Sequence, residues 1–238
     1  MQALILAGGK GTRLMPYTSN LPKPLMPIDD IPILEILVRQ LQSYGITSII
    51  MAVGYLNHMI EEYFKDGAEF GVSIKYSLEK KPLGTAGPIG LVYDDLKENF
   101  IVLNGDLLTT INFRNIYEAH LKERAAATIS TFSRMVNIDF GVLELNDKSE
   151  LKSYTEKPSY CYKVSMGINV FNKKSLEGLI IKDAYLDIPQ LMILLKDSGR
   201  KVFCYEENCR WLDIGRVDDY QEAVKDFSEN KKVFLPNS

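Results

Sequence analysis

Apolar residues along this chain fall in short runs separated by polar and glycine-bearing stretches. Residues 1–7 form the first run, which breaks at once into Gly8-Gly9-Lys10-Gly11-Thr12-Arg13-Leu14. Residues 32–44 follow helical spacing through Ile33, Leu34, Ile36, Leu37, Gln40 and Leu41, with proline near the start and Gly45 just past the end. Residues 48–53 read as a buried strand, and residues 57–65 as a helix with Asn57 at its N-cap. Residues 72–77 alternate as a strand does. Residues 100–103 form another short apolar strand that ends in Asn104-Gly105-Asp106. Repeated strand–helix–strand units imply right-handed crossovers and a parallel sheet covered on both faces.

The second half is more mixed. Residues 126–133, 140–145, 151–155 and 163–171 read as strands, some too close together for crossover helices, so antiparallel pairs are expected. Residues 188–198 form a helix ended by Gly199, residues 201–205 a strand, and residues 217–230 a closing helix with one polar face. No internal repeat, low-complexity linker or clean domain boundary interrupts the chain. The expected fold is α/β: a Rossmann-like, doubly wound mixed sheet, mostly parallel, in a single domain over residues 1–238. Its later part builds the second wall of a cleft.

Composition narrows the function. The chain has 238 residues, 46% hydrophobic and 25% charged, with a net charge of −3. A nucleic-acid binder carries a basic domain or stripe, and none is present. No apolar run approaches the roughly 20 residues of a membrane span. The first run is short and has no basic segment before it, so it reads as a strand and not as a signal peptide. A cytoplasmic protein with neither nucleic acid nor membrane as partner is expected. The cysteines are Cys161, Cys204 and Cys209. Their odd number and irregular spacing argue against a disulfide framework, and the lack of a neighbouring histidine argues against zinc. They read as structural thiols. His58 and His120 read as surface histidines and Trp211 as a packing residue.

Positive charge is instead local. A strand that breaks into a glycine turn bearing Lys10 and Arg13 is suited to phosphate, because glycine lets backbone N–H groups approach an anion and the cations neutralise it. A second cation, Lys23, lies in Leu21-Pro22-Lys23-Pro24-Leu25-Met26-Pro27, stiffened by prolines. Two separate cationic groups suggest two phosphates held against each other. The turn is not a dinucleotide fingerprint, since bulky Leu14 stands where close helix packing wants a small residue. No Gly-x-x-x-x-Gly-Lys-Ser/Thr occurs anywhere. Asp106 ends a strand, where open α/β sheets place ligands, and one or two such carboxylates suffice for magnesium.

These segments occur in order with Pro82-Leu83-Gly84-Thr85-Ala86-Gly87, Phe140-Gly141-Val142, Glu156-Lys157-Pro158 and Trp211-Leu212-Asp213-Ile214-Gly215. Together they resemble the sugar-1-phosphate nucleotidyltransferase family over nearly the whole chain, and most of all its mannose-1-phosphate guanylyltransferase branch. The resemblance implies transfer of a nucleoside monophosphate, from GTP by preference, to a sugar 1-phosphate. Pyrophosphate is released, and surface glycan synthesis is the use. It implies that Leu6, Ala7, Gly8, Gly9, Gly11 and Thr12 wrap the nucleoside triphosphate and that Gly84 and Thr85 lie against its base. Arg13 and Lys23 act in catalysis. Asp106 and Asp213 hold Mg²⁺, and Asp106 also belongs to the nucleotide site. Gly141, Glu156, Lys157 and Ser165 meet the sugar phosphate. A homodimer is compatible with the resemblance. Uridylyl-, cytidylyl- and thymidylyltransferases share the framework, and a non-catalytic nucleotide-sugar-binding subunit is the reading from another class. A glycosyltransferase is disfavoured by the lack of Asp-x-Asp. The chain departs from the family pattern at Ser165-Met166-Gly167-Ile168-Asn169, where many relatives carry Asn-Ala-Gly-Ile-Tyr.

Overall fold

A computed structural model describes residues 1–235. In chain order the first half contains β1 (Gln2–Ala7), the hairpin β2 (Pro27–Ile28) and β3 (Ile31–Pro32), α1 (Ile33–Ser43), β4 (Ser48–Val53), α2 (Asn57–Phe64) and β5 (Ser73–Leu78). There follow α3 (Gly87–Leu91), β6 (Asn99–Asn104), β7 (Leu107–Thr109) and α4 (Phe113–Glu123). The second half contains β8 (Ala127–Asn137), β9 (Val142–Leu145), β10 (Leu151–Thr155), β11 (Ser159–Asn172), α5 (Ile188–Asp197), β12 (Val202–Glu206), β13 (Trp211–Asp213) and α6 (Val217–Phe234).

Among the described residues the main sheet has seven strands in the order β12-β8-β11-β6-β1-β4-β5. β1 pairs in parallel with β4 and β6, β4 with β5, and β8 with β12. β11 runs antiparallel to both neighbours. The mixed, mostly parallel sheet is therefore the one expected. The chain moves outward from β1 through β4 to β5, then returns to the other side of β1 as β6. That reversal opens a crevice at the carboxyl ends of β1 and β6, where ligands bind in open α/β sheets.

Both faces of the central strands are buried, which is why their sequences read as continuous apolar runs and not as alternation. Ala3, Ile5, Ile49, Met51 and Leu103 pack with Leu34, Leu37 and Leu41 of α1, Ile60 and Phe64 of α2, and Phe113 and Ile116 of α4. Leu4, Ile50, Ala52 and Val102 pack on the other face with Ile89 of α3 and Leu191 and Leu195 of α5. A third cluster joins Ala223, Phe227 and Phe234 of α6 to Leu14, Met26, Ile28, Leu108 and Ile214. Buried Gln40 ties this corner together, donating to the carbonyls of Thr109 at 2.7 Å and Phe234 at 2.9 Å.

Some local expectations are corrected. Asn57 does not cap α2: the cap is Leu56, in the left-handed region at φ 53°, and Asn57 is already helical, donating to Glu61 at 2.8 Å. β8 and β11 run several residues beyond the expected limits, since strand pairing there continues past the buried stretch. His120 is buried and not a surface residue, whereas His58 is exposed. Cys161 and Cys204 are exposed free thiols, and partly buried Cys209 is free as well. Trp211 does pack: its ring lies 5.4 Å from that of Phe132, and its Nε1 donates to the Met166 carbonyl at 3.0 Å.

Candidate active site

β1 ends at Ala7 because Gly8 and Gly9 begin a turn that leaves the sheet plane. The turn closes at Gly11, whose φ of +62° disfavours any side chain; a Cβ there would also stand 3.0 Å from Thr18 and 3.1 Å from the Cβ of Lys23. The Thr18 hydroxyl donates to the Gly11 carbonyl at 2.9 Å. Thus the glycine turn and the Lys23 segment pack against each other. Lys23 opens a single 3-10 turn set up by extended Pro22, and most of its side chain is buried.

A cavity of about 720 Å³ lies over this turn. Leu6, Ala7, Gly8, Gly9, Gly11, Thr12, Arg13, Lys23, Gly84, Thr85 and Asp106 all line it, as does Lys10. Asn104 of the Asn104-Gly105-Asp106 segment lines it too, and residues that the motifs did not single out complete the wall, among them Gly54, Glu79 and Pro88. Gly84 has φ +76°, and a Cβ there would come within 2.6 Å of the Leu186 carbonyl, so glycine is needed. Thr85 holds this loop down. Its N–H and hydroxyl donate to Asp187 at 3.0 and 3.2 Å, and its hydroxyl accepts from the Ile188 N–H at 2.8 Å.

Charge converges at one end of the cavity. Lys23 Nζ forms an ion pair with Asp106 Oδ2, while Asp106 Oδ1 is buried with no hydrogen-bond partner. β13 pairs with β7 so that Asp213 stands opposite Leu107, next to Asp106 in sequence. Burial and then repulsion from Asp106 push the Asp213 carboxyl above the usual carboxylate range, against the pull of Lys23 and Arg13. A Cβ on Gly215 would lie 3.5 Å from the Arg13 guanidinium. Two cations and two carboxylates from four parts of the chain therefore meet. A buried carboxylate oxygen with nothing to accept from, beside a second carboxylate, fits a hard divalent cation that keeps waters and takes other oxygens from phosphate. Among the described residues no group of three or more His, Cys, Asp or Glu could hold a metal by itself.

The residues expected at the sugar phosphate are not in the wall of this cavity. Exposed Glu156 and Lys157 lie in the turn between β10 and β11. Tyr154 donates to Glu156 at 3.2 Å, and its ring covers Gly141 so closely that a Cβ there would collide with the hydroxyl. Ser165 lies at a register break in β11, where its Oγ accepts from the Gly167 N–H at 3.4 Å. Only this last segment touches the wall. A Cβ on Gly167 would come within 2.7 Å of the Asn104 amide, and Met166 accepts from Trp211, two residues before Asp213.

Residues 2–230 match the family model described as nucleotidyl transferase. The chain belongs to this family. It is 32% identical to a D-glycero-alpha-D-manno-heptose 1-phosphate guanylyltransferase of Aneurinibacillus thermoaerophilus, over 95% of this chain and 98% of that one. It is also 32% identical to a UTP–glucose-1-phosphate uridylyltransferase of Synechocystis, over 99% of this chain but only 66% of the relative. A Bacillus anthracis crystal structure, provisionally named a glucose-1-phosphate thymidylyltransferase and solved with a sucrose, superposes with a TM-score of 0.76. It has 26% identity and covers 94% of each chain. The fold reading and the family resemblance both stand.

Proposed function

We propose that this protein transfers a nucleoside monophosphate from a nucleoside triphosphate, GTP by preference, to a sugar 1-phosphate, releasing pyrophosphate. The observation that carries the reading is the Lys23–Asp106 pair at the glycine-turn cavity, with Asp106 Oδ1 buried and unpartnered beside Asp213. Family membership and the named relatives support the reaction class.

An oxygen of the sugar phosphate attacks the α-phosphorus in line. A new P–O bond forms, the bridging bond to the β-phosphate breaks, and its electron pair leaves with pyrophosphate. No general base is required, because a phosphate monoester with a second pKa of about 6 is already largely dianionic at neutral pH. The barrier is repulsion between two polyanions. Lys23, held between prolines and buried, is a preorganised cation for the charge that develops at the α-phosphate. Arg13 carries a planar fork of donors suited to phosphate oxygens. The glycine turn supplies backbone N–H groups. Asp106 and Asp213 would hold Mg²⁺, which when bound neutralises phosphate charge and orients the reacting groups. Glu156, Lys157 and Ser165 are assigned to the sugar phosphate. The proposed setting is the cytoplasm, with surface glycan synthesis as the use. No helix among the described residues is long and apolar enough to cross a membrane.

The test is a matrix of GTP, ATP, UTP, CTP and dTTP against several sugar 1-phosphates, scored by pyrophosphate release with Mg²⁺ and with excess chelator. Release is expected with GTP and at least one sugar 1-phosphate, and should vanish with chelator. No release in any cell, or release undiminished by chelator, would refute the reading.

A further inference from the structure

Leu83, Gly84 and Thr85 line the cavity, but the shape of their loop is set by a segment far along the chain. The Leu186 N–H donates to the Leu83 carbonyl at 3.0 Å, and the Leu186 carbonyl accepts from the Ala86 and Gly87 N–H groups at 2.8 and 3.0 Å. Asp187 Oδ1 accepts from both the N–H and the hydroxyl of Thr85. The two glycines of the loop answer to the same segment. A Cβ on Gly84 would stand 2.6 Å from the Leu186 carbonyl oxygen and 2.7 Å from Asp187 Oδ1, and one on Gly87 would stand 2.6 Å from the Ala184 carbonyl oxygen. Residues 184–188 are not part of the cavity wall. They form a strap behind the loop, and the glycines mark where the strap comes close.

Asp187 is the polar side chain of this strap that could have been used elsewhere. It occupies the N-cap position of α5, where an aspartate ordinarily accepts from the free N–H groups of its own helix, yet it makes no such bond. Oδ1 is turned to Thr85. Oδ2 accepts from the Tyr185 hydroxyl at 2.6 Å, which holds the carboxyl below the usual carboxylate range and keeps it an ionised acceptor. In exchange, the Thr85 hydroxyl accepts from the Ile188 N–H, the first of α5, at 2.8 Å. Its one proton is committed to Asp187, so the Thr85 side chain has no donor left for a ligand. The helix end to which the loop is tied is itself fixed, since Leu191 and Leu195 of α5 are fully buried with Leu4 and Val102 of the sheet.

Building on the nucleotidyl-transfer reading, we propose that Asp187 is a positioning residue for the nucleoside triphosphate: it latches the Leu83–Gly87 loop to the start of α5, so that this wall of the cavity stands formed before the nucleotide arrives. Without the latch, the loop must be ordered as the nucleotide binds, and that ordering is taken from the affinity. Lys23, Asp106 and Asp213 lie on other elements, so the loss falls on binding and not on the chemical step.

Three variants separate a latch from an ordinary helix cap. Asp187→Asn keeps the reach and an acceptor oxygen. Asp187→Ser keeps a good N-cap residue, but its hydroxyl is a bond too short for Thr85. Asp187→Ala keeps neither. Binding of GTP, ATP, UTP, CTP and dTTP to the whole protein with Mg²⁺ is followed by calorimetry, alongside initial rates and hydrogen exchange of the backbone amides. Asp187→Ser and Asp187→Ala should bind the preferred triphosphate about ten- to a hundred-fold more weakly, the range for a lost hydrogen bond to a charged group. KM for that triphosphate should rise in step while kcat at saturation holds. Exchange should quicken at the Thr85 amide and stay slow in α5 and β6. Asp187→Asn should bring affinity back close to the wild type. The proposal is overturned if Asp187→Ser binds as the wild type does, if Asp187→Asn loses as much as Asp187→Ala, or if kcat falls while KM holds. It is overturned too if exchange quickens along the whole of α5, which would make Asp187 a cap and nothing more. Those results leave nucleotidyl transfer standing. Failure of all five triphosphates to bind the wild type overturns both.

Discussion

At the residue scale, Lys23 shows how placement turns an ordinary cation into a reagent. Its backbone is set by Pro22, its Cβ abuts the glycine turn, and its ammonium is spent on Asp106 until phosphate arrives. Lys23→Ala removes a preorganised charge and leaves the turn and Arg13 in place. Turnover should fall on the order of 10²–10³-fold, while nucleotide affinity changes far less. Initial rates together with direct binding check this, and near wild-type turnover would make Lys23 a structural residue. The motif around Lys23 is legible because proline and glycine constrain the chain locally. The place of Glu79 in the cavity wall is not. Nothing in Glu79-Lys80-Lys81 points to the cavity until β5 is seen to end beside β4 and the side chain to fold over Gly8. A lone glutamate at the end of an alternating strand was the only available signal.

At the scale of elements, α6 is a support for the site and not merely the last helix. Its apolar face packs Phe227 and Phe234 against Leu14, Leu108 and Ile214. These three adjoin Arg13, Leu107 and Asp213 in sequence, so the packing of α6 reaches the charged corner. Phe227→Ala should cost about 3–5 kcal/mol of stability, the usual range for truncating a buried phenylalanine. It should also depress turnover under conditions where the variant is still folded. Urea unfolding and initial rates measure the two effects, and full activity in a destabilised variant would separate α6 from the site. The buried strands β1, β4 and β6 were legible as apolar runs. The outer halves of β8 and β11 were not, because residues 133–137 and 159–163 are exposed. Their pairing there is carried by the backbone ladder, which leaves no hydrophobic period to read.

For the whole molecule, the end of the sheet opposite the cavity carries its own polar cluster. Asn99 begins β6, the strand whose other end leads to Asp106. His120 of α4 bonds Asn99 Oδ1 through Nε2 at 3.1 Å and Thr128 Oγ1 through Nδ1 at 2.9 Å. Asn99 Oδ1 can only accept, so Nε2 carries a proton; burial disfavours a second one on the ring, and in the neutral imidazole Nδ1 accepts from the threonine hydroxyl. Burial pushes its pKa down to about 4 from the ordinary 6.5. Between these values the unfolded chain binds a proton that the folded protein refuses. The stability contributed is full above pH 6.5 and is lost as pH falls toward 4, at most on the order of 3 kcal/mol. Melting temperature should therefore drop more steeply over that interval for the wild type than for His120→Gln. Parallel curves for the two proteins would show that the imidazole does not titrate as described.

What the amino-acid sequence determined by itself is whatever one short stretch can specify. The buried parallel strands follow from runs of apolar residues, α1 from its spacing and its proline start, and the phosphate turn from glycines beside cations. What only the tertiary structure decided is which distant stretches meet. Asp106 and Asp213 become neighbours through the β7–β13 pairing, and Glu79 reaches the cavity through the β4–β5 pairing and a turn of its own side chain. His120 becomes neutral and structural because α4 lies across β6 and β8. Glu156 and Lys157 stand away from the cavity wall because the ribbon of β9 and β10 pairs within itself. A local pattern records the conformation and burial of its own residues. A carboxylate's charge partners, its desolvation and the donors that it lacks depend on elements a hundred residues away, and those exist only once the sheet order is set.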